Sequence, residues 1–130
     1  MEYLDFLRSK IPLASFDGYE IGVDEINPLL LPHQLACVQW AVKGGNRALF
    51  ESFGLGKSSQ QIEIVRLTRV RCGGKALIVC PLGVRQEFRL DGMLAGSQWV
   101  NRANDLGLDI EEIRSRYGVE FRFIRRTEEI

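Results

Sequence analysis

The chain has 130 residues, 45% of them hydrophobic and 26% charged, with 17 bases balanced by 17 acids. That length suits one domain burying roughly two-thirds of its unfolded surface, and the composition excludes a disordered or low-complexity chain. No apolar run approaches the ~18–20 residues of a membrane span, and the acidic start MEYLDFLRSK lacks an apolar leader, so the expectation is a cytoplasmic protein with no membrane contact.

Cys37, Cys72 and Cys80 are odd in number and widely spaced, which excludes a disulfide framework, and His33 stands at no usual zinc spacing from them. The neutral total hides a gradient. Residues 1–31 carry six acids and two bases, residues 32–89 three acids and nine bases, and residues 90–130 eight acids and six bases. The basic middle third either faces an anion or is a scattered, solvated surface.

In chain order, residues 3–9 predict a short helix and residues 11–31 a loop or arm. Pro32 suits the first turn of a helix that runs through PHQLACVQWAVK and stops at Gly44-Gly45. Trp40 reads as core. Residues 47–53, RALFESF, predict a short strand. A helix follows from Lys57 to Arg71 and ends at Gly73-Gly74, as a glycine C-cap ends one. Residues 76–80, ALIVC, are continuously apolar, the pattern of a parallel strand buried on both faces. Residues 84–94 predict a helix, and residues 97–117 two helical pieces broken at Gly107, the second capped by Asp109. Residues 119–124, VEFRFI, alternate with Val119, Phe121 and Phe123 on one face, as a strand does. Alternating elements of this kind imply an α/β domain with a parallel sheet flanked by helices.

The strongest chemical signal is FESFGLGKS, residues 50–58. Gly56-Lys57-Ser58 complete the end of a phosphate-binding loop, G-x-x-x-x-G-K-[ST], whereas Glu51 replaces its opening glycine and Gly54 adds another within it. Glycines let backbone N–H groups of Gly54, Leu55 and Gly56 approach phosphate oxygens, and the helix start at Lys57, Ser58 and Ser59 favours anions. Lys57 would reach the β- and γ-phosphates, and Ser58 would offer its hydroxyl to Mg²⁺. The alternative is a structural turn with a serine near a helix cap.

Three blocks together resemble the first motor domain of superfamily-two helicases of the Swi/Snf type and their prophage relatives. LLPHQLACVQWAV, residues 30–42, resembles the Leu-x-Pro-x-Gln motif; ESFGLGKS, residues 51–58, resembles Asp-Glu-x-Gly-Leu-Gly-Lys-Thr; and ALIVCPLGVRQEF, residues 76–88, resembles motif Ia. The likeness covers about residues 24–90. It implies a partial RecA-like P-loop domain over 32–130 behind an N-terminal arm, 1–31, with a helical insertion at 97–118. It implies ATP and Mg²⁺ as ligands, Lys57 as the catalytic cation, and Gln34 reading the adenine edge, where a carboxamide both donates and accepts. The alternative for Gln34 is a surface residue near a helix start. His33, where the family often has an aromatic, reads as packing. Pro81, Leu82, Gly83 and Arg85 would touch a nucleic-acid backbone, DNA rather than RNA, although Arg85 reads equally as a solvated side chain.

The family's acidic Asp-Glu motif has no counterpart. Asp24-Glu25, Glu111-Glu112 and Glu128-Glu129 fit it in neither order nor setting. The expectation is therefore a nucleotide-binding N-terminal fragment, ending before the acidic (Walker B) strand and lacking the second motor domain that hydrolysis needs. Its rival is a small, non-enzymatic interaction module that keeps half an ATP site and works by binding a partner protein.

Overall fold

The computed structural model describes residues 2–11, 15–52 and 54–130. Among the described residues six α-helices carry the architecture: α1 Tyr3–Ser9, α2 Pro32–Gly44, α3 Lys57–Cys72, α4 Arg85–Gly92, α5 Ser97–Leu106 and α6 Ile110–Tyr117. Short 3-10 turns sit at Val23–Glu25, Leu82–Val84 and Thr127–Glu129. Among the described residues no helix is long and apolar enough to cross a membrane.

Helix boundaries follow local chemistry. Pro32 opens α2, where its missing N–H is one the first turn leaves unbonded anyway. Gly45 ends α2 at φ 82° and Gly73 ends α3 at φ 72°, conformations that cost other residues a steric penalty. Gly107 closes α5 in the left-handed region, and the Asp109 carboxylate caps α6 by accepting the Glu111 N–H at 3.0 Å. The end of α2 has an unusual cap. The N–H groups of Asp17, Gly18 and Tyr19 donate to the carbonyls of Gly44, Lys43 and Val42 at 3.1–3.2 Å, and a Cβ on Gly18 would collide with the Val42 carbonyl.

The expected parallel sheet is not there. Among the described residues no strand forms, and the fold is all-helical. Residues 47–52 and 76–80 carry no regular structure, and Phe53, the last residue of the first predicted strand, lies outside the described residues. Phe50 is 97% exposed and Val79 90%, so the continuous apolar run is not the signature of a strand covered on both faces. VEFRFI instead lies along α4: Val119 N–H donates to the Gly92 carbonyl at 2.6 Å, and the Phe121 ring approaches Phe88, centroids 6.3 Å apart. The physical reason is that a helix satisfies its backbone within itself, whereas a strand needs a neighbour, and strand propensity is decided by that context.

The core lies where α2, α3, α5 and α6 meet residues 26–30. Ile26, Leu29 and Leu30 pack with Val38 and Val42 of α2, Leu67 of α3, Trp99 and Ala103 of α5, and Ile113 and Tyr117 of α6. Residues 26–30 of the predicted arm and Trp99, Ala103, Ile113 and Tyr117 of the predicted insertion take part in this core, whereas α1 carries no buried residue. Glu63 is buried within it. Its carboxylate accepts the Asn27 N–H at 3.0 Å and forms a close ion pair with Arg66, which also donates to the Glu25 carbonyl at 2.8 Å. Leu94, in the turn after α4, is buried at φ 54°, a strained conformation for a leucine, and it packs into the same core.

Candidate functional site

The predicted phosphate loop leads into α3. Gly54 and Gly56 both adopt positive φ, 80° and 75°, and Gly56 is the N-cap residue of a helix that starts at Lys57. Among the described residues the N–H groups of Gly54, Leu55 and Gly56 donate to no acceptor. Space on the Cβ side of Gly54 is open, while a Cβ on Gly56 would strike the Gln34 amide. The Lys57 ammonium donates to the Glu51 carbonyl at 2.8 Å, which folds the side chain back across the loop it follows.

Gln34, buried in the first turn of α2, holds this loop from below. Its Oε1 accepts the Leu31 N–H at 2.9 Å and its Nε2 donates to the Leu55 carbonyl at 3.0 Å. Both ends of the carboxamide are thus engaged inside the protein, one as half of a capping box. His33 Nε2 lies 3.3 Å from the same carbonyl, so this histidine is a loop contact at the surface. Trp40, expected in the core, is 47% exposed with the Arg47 guanidinium over its ring at 5.4 Å.

The two serines diverge. Ser58 is half-buried, and its hydroxyl bonds to no protein group among the described residues. Ser59 is buried and donates to Asp91 at 3.4 Å. Asp91 also accepts from Gln98 Nε2 at 3.0 Å and Trp99 Nε1 at 3.4 Å, tying α3, α4 and α5 together. Burial pushes its carboxyl above the usual range, and the three donors only partly offset that.

The sequence did not point to the support beneath the loop. Gln60, with no exposed surface, donates through Nε2 to both carboxylate oxygens of Glu51, at 3.2 and 2.9 Å, and Cys37 Sγ donates to the same carboxylate at 3.2 Å. Burial and the neighbouring Glu51 carboxylate raise the Cys37 pKa, so the thiol stays protonated and acts as a donor. The one available signal was spacing: Gln60 stands three residues after Lys57, on the adjoining face of the helix.

Pro81, Leu82, Gly83 and Arg85 form the exposed turn into α4, with Val84 N–H bonded to the Pro81 carbonyl at 3.1 Å. Leu82 is 83% exposed, and the Arg85 guanidinium lies over the Phe123 ring at 5.8 Å. The acidic pairs set aside above lie in the Val23–Glu25 turn, in α6 and in the Thr127–Glu129 turn. Among the described residues no group of three or more His, Cys, Asp or Glu side chains is arranged to hold a metal ion.

Comparison with protein-family models, curated proteins and solved structures returns no match.

Proposed function

We propose that the chain binds the phosphates of ATP or ADP with Mg²⁺ through Gly54, Leu55, Gly56, Lys57 and Ser58, as a nucleotide-binding piece of a DNA-dependent helicase or translocase. One observation carries this reading: two positive-φ glycines, Gly54 and Gly56 on either side of Leu55, whose N–H groups donate to no acceptor among the described residues, run directly into the start of a 16-residue helix headed by Lys57. Such a helix start offers both donors and a favourable dipole to an anion. The reading rests on this loop and on no sheet.

Lys57 would exchange its Glu51 carbonyl for phosphate oxygens and take the catalytic charge-neutralising role. Gln34 acts on the nucleotide indirectly, by holding Leu55, unless its two backbone bonds give way to adenine. Mg²⁺ would supply charge neutralisation between the phosphates. With no acidic pair placed to orient a water, the chain by itself is expected to show no measurable turnover. The 81–85 turn would add weak, salt-dependent contact with a DNA backbone that carries no base information. A cytoplasmic setting goes with this reading.

The test is titration of fluorescent ADP with Mg²⁺ into the wild type and Lys57→Ala. Saturable binding that falls at least tenfold in the variant supports the proposal; equal binding by both overturns it. The exposure of Phe50, Val79 and Leu82 favours a second reading, the partner-binding module. A specific one-to-one protein complex from a folded chain that ignores nucleotide would put that reading first.

A further inference from the structure

At the far end of α3 from Lys57, a cleft of about 360 Å³ opens between the last turns of α3, the end of α6 and the 19–25 segment. Its polar wall is basic and aromatic. Arg71 lies over the Tyr19 ring at 4.8 Å, while Arg66 and Arg116 lie over the Tyr117 ring at 4.7 and 5.2 Å. Only Arg66 has a carboxylate partner, Glu63; among the described residues Arg71 and Arg116 pair with none. Stacking fixes the plane of a guanidinium over a ring yet leaves the N–H donors along its edge unused. The Tyr19 hydroxyl is shut off from solvent beside the Thr68 side chain and so stays outside the cleft's open face. Burial pushes its pKa up, so it remains a donor at neutral pH. Among the described residues the acid on the wall is Glu25, whose carboxylate already accepts the Gly22 N–H at 2.9 Å.

These donors share a single deficit. The guanidinium groups of Arg71 and Arg116, from two different helices, line one concavity on which Glu25 is the acid among the described residues. Placement in the last turns of α3 and α6 accounts for basic residues there through the helix dipole, but not for two unpaired guanidinium groups from separate helices lining one cleft. A ligand completing the set must bring several oxygen acceptors and negative charge, and the planar forks of arginine match phosphate geometry. We propose that this cleft binds a phosphate group, either free or as a small phosphomonoester. The volume is within the range of small-ligand sites, and Ile21, Leu67 and Val70 offer an apolar side for a carbon body. Fourteen residues separate Lys57 from Arg71 along α3, about 21 Å at helical rise. No single phosphate spans both places, so this site is independent of the nucleotide reading.

Calorimetric titration with inorganic phosphate and with ribose 5-phosphate tests it, on the wild type, Arg71→Ala/Arg116→Ala and Lys57→Ala. Expected are a saturable binding component that persists in Lys57→Ala, where the phosphate loop is disabled, and a loss of that component by at least tenfold in the double alanine variant. Tighter binding of the sugar phosphate assigns the apolar side to a carbon body; equal binding assigns the site to free phosphate. Circular dichroism checks that the double variant folds, and Arg71→Lys/Arg116→Lys, which keeps charge but not the fork, is expected to bind at an intermediate level. No saturable binding by the wild type, undiminished binding by the double alanine variant, or loss confined to Lys57→Ala overturns the proposal.

Discussion

Two apolar regions of this chain meet opposite fates. Residues 26–30 and the inner faces of α2, α3, α5 and α6 bury Ile26, Leu29, Val38, Trp99 and Ala103 almost completely. RALFES and ALIVC are as apolar over several positions, yet Phe50, Leu77 and Val79 stay exposed. The difference is in backbone bookkeeping as much as in hydrophobicity. Each core helix arrives with its N–H and C=O groups already satisfied, so its side chains are free to decide the packing; an extended segment must first find a partner for every backbone group.

That contrast is open to direct attack. The largest effects are expected in the helical core. Glu63→Ala strands Arg66 and unbonds the Asn27 N–H, and breaking a buried pair of this kind costs about 3–5 kcal/mol. A urea midpoint that barely moves would show that the pair is not buried in solution. Trp99→Ala removes a core ring and a donor to Asp91, with an expected loss again of about 3–5 kcal/mol in equilibrium unfolding.

Asp91 gives a smaller, pH-dependent effect. Its folded pKa lies above its unfolded value, so the folded state holds the proton more tightly. The stability this contributes is full below the ordinary carboxylate range and is lost as pH rises through the raised folded value. Asp91→Asn cannot ionise. The wild type should lose stability relative to this variant as pH climbs above about 4, and the two should run parallel once Asp91 is fully charged. Denaturation curves across a pH series check the slope, and the opposite sign would mean that the donors outweigh burial.

Loss of the α6 cap in Asp109→Ala is expected to cost about 1 kcal/mol. At the bottom of the scale, Val79→Ser should change stability by no more than about 0.5 kcal/mol, as a surface position does. A large loss there would mean that the exposed segment is covered in solution and would erase the contrast between the two regions.

The helices were legible because their signals are local. Pro32, Gly45, Gly73, Gly107 and Asp109 each act within a turn of the boundary they set. The glycine loop was legible for the same reason, since Gly54, Gly56 and the start of α3 are neighbours in sequence. The sheet was misread because a run such as ALIVC records apolarity without recording what lies beside it. Trp40 was misplaced by the same limit: its helical spacing matched a core face, while the arm that covers α2 turned another face inward. The support under the loop, Cys37–Glu51–Gln60, joins three separate elements, and no local pattern announces it.

The cap at the end of α2 gives the upstream segment a structural task. Three consecutive carbonyls of that helix depend on donors some twenty-five residues earlier in the chain. Trimming the protein to begin at Pro32 would therefore unravel the last turn of α2 as well as remove Ile26 and Leu29 from the core. In amide-exchange terms, the N–H groups of residues 17–19 should open together with the core rather than with a free tail, and cleavage by protease between Gly18 and Gly22 should be slow until the whole molecule unfolds.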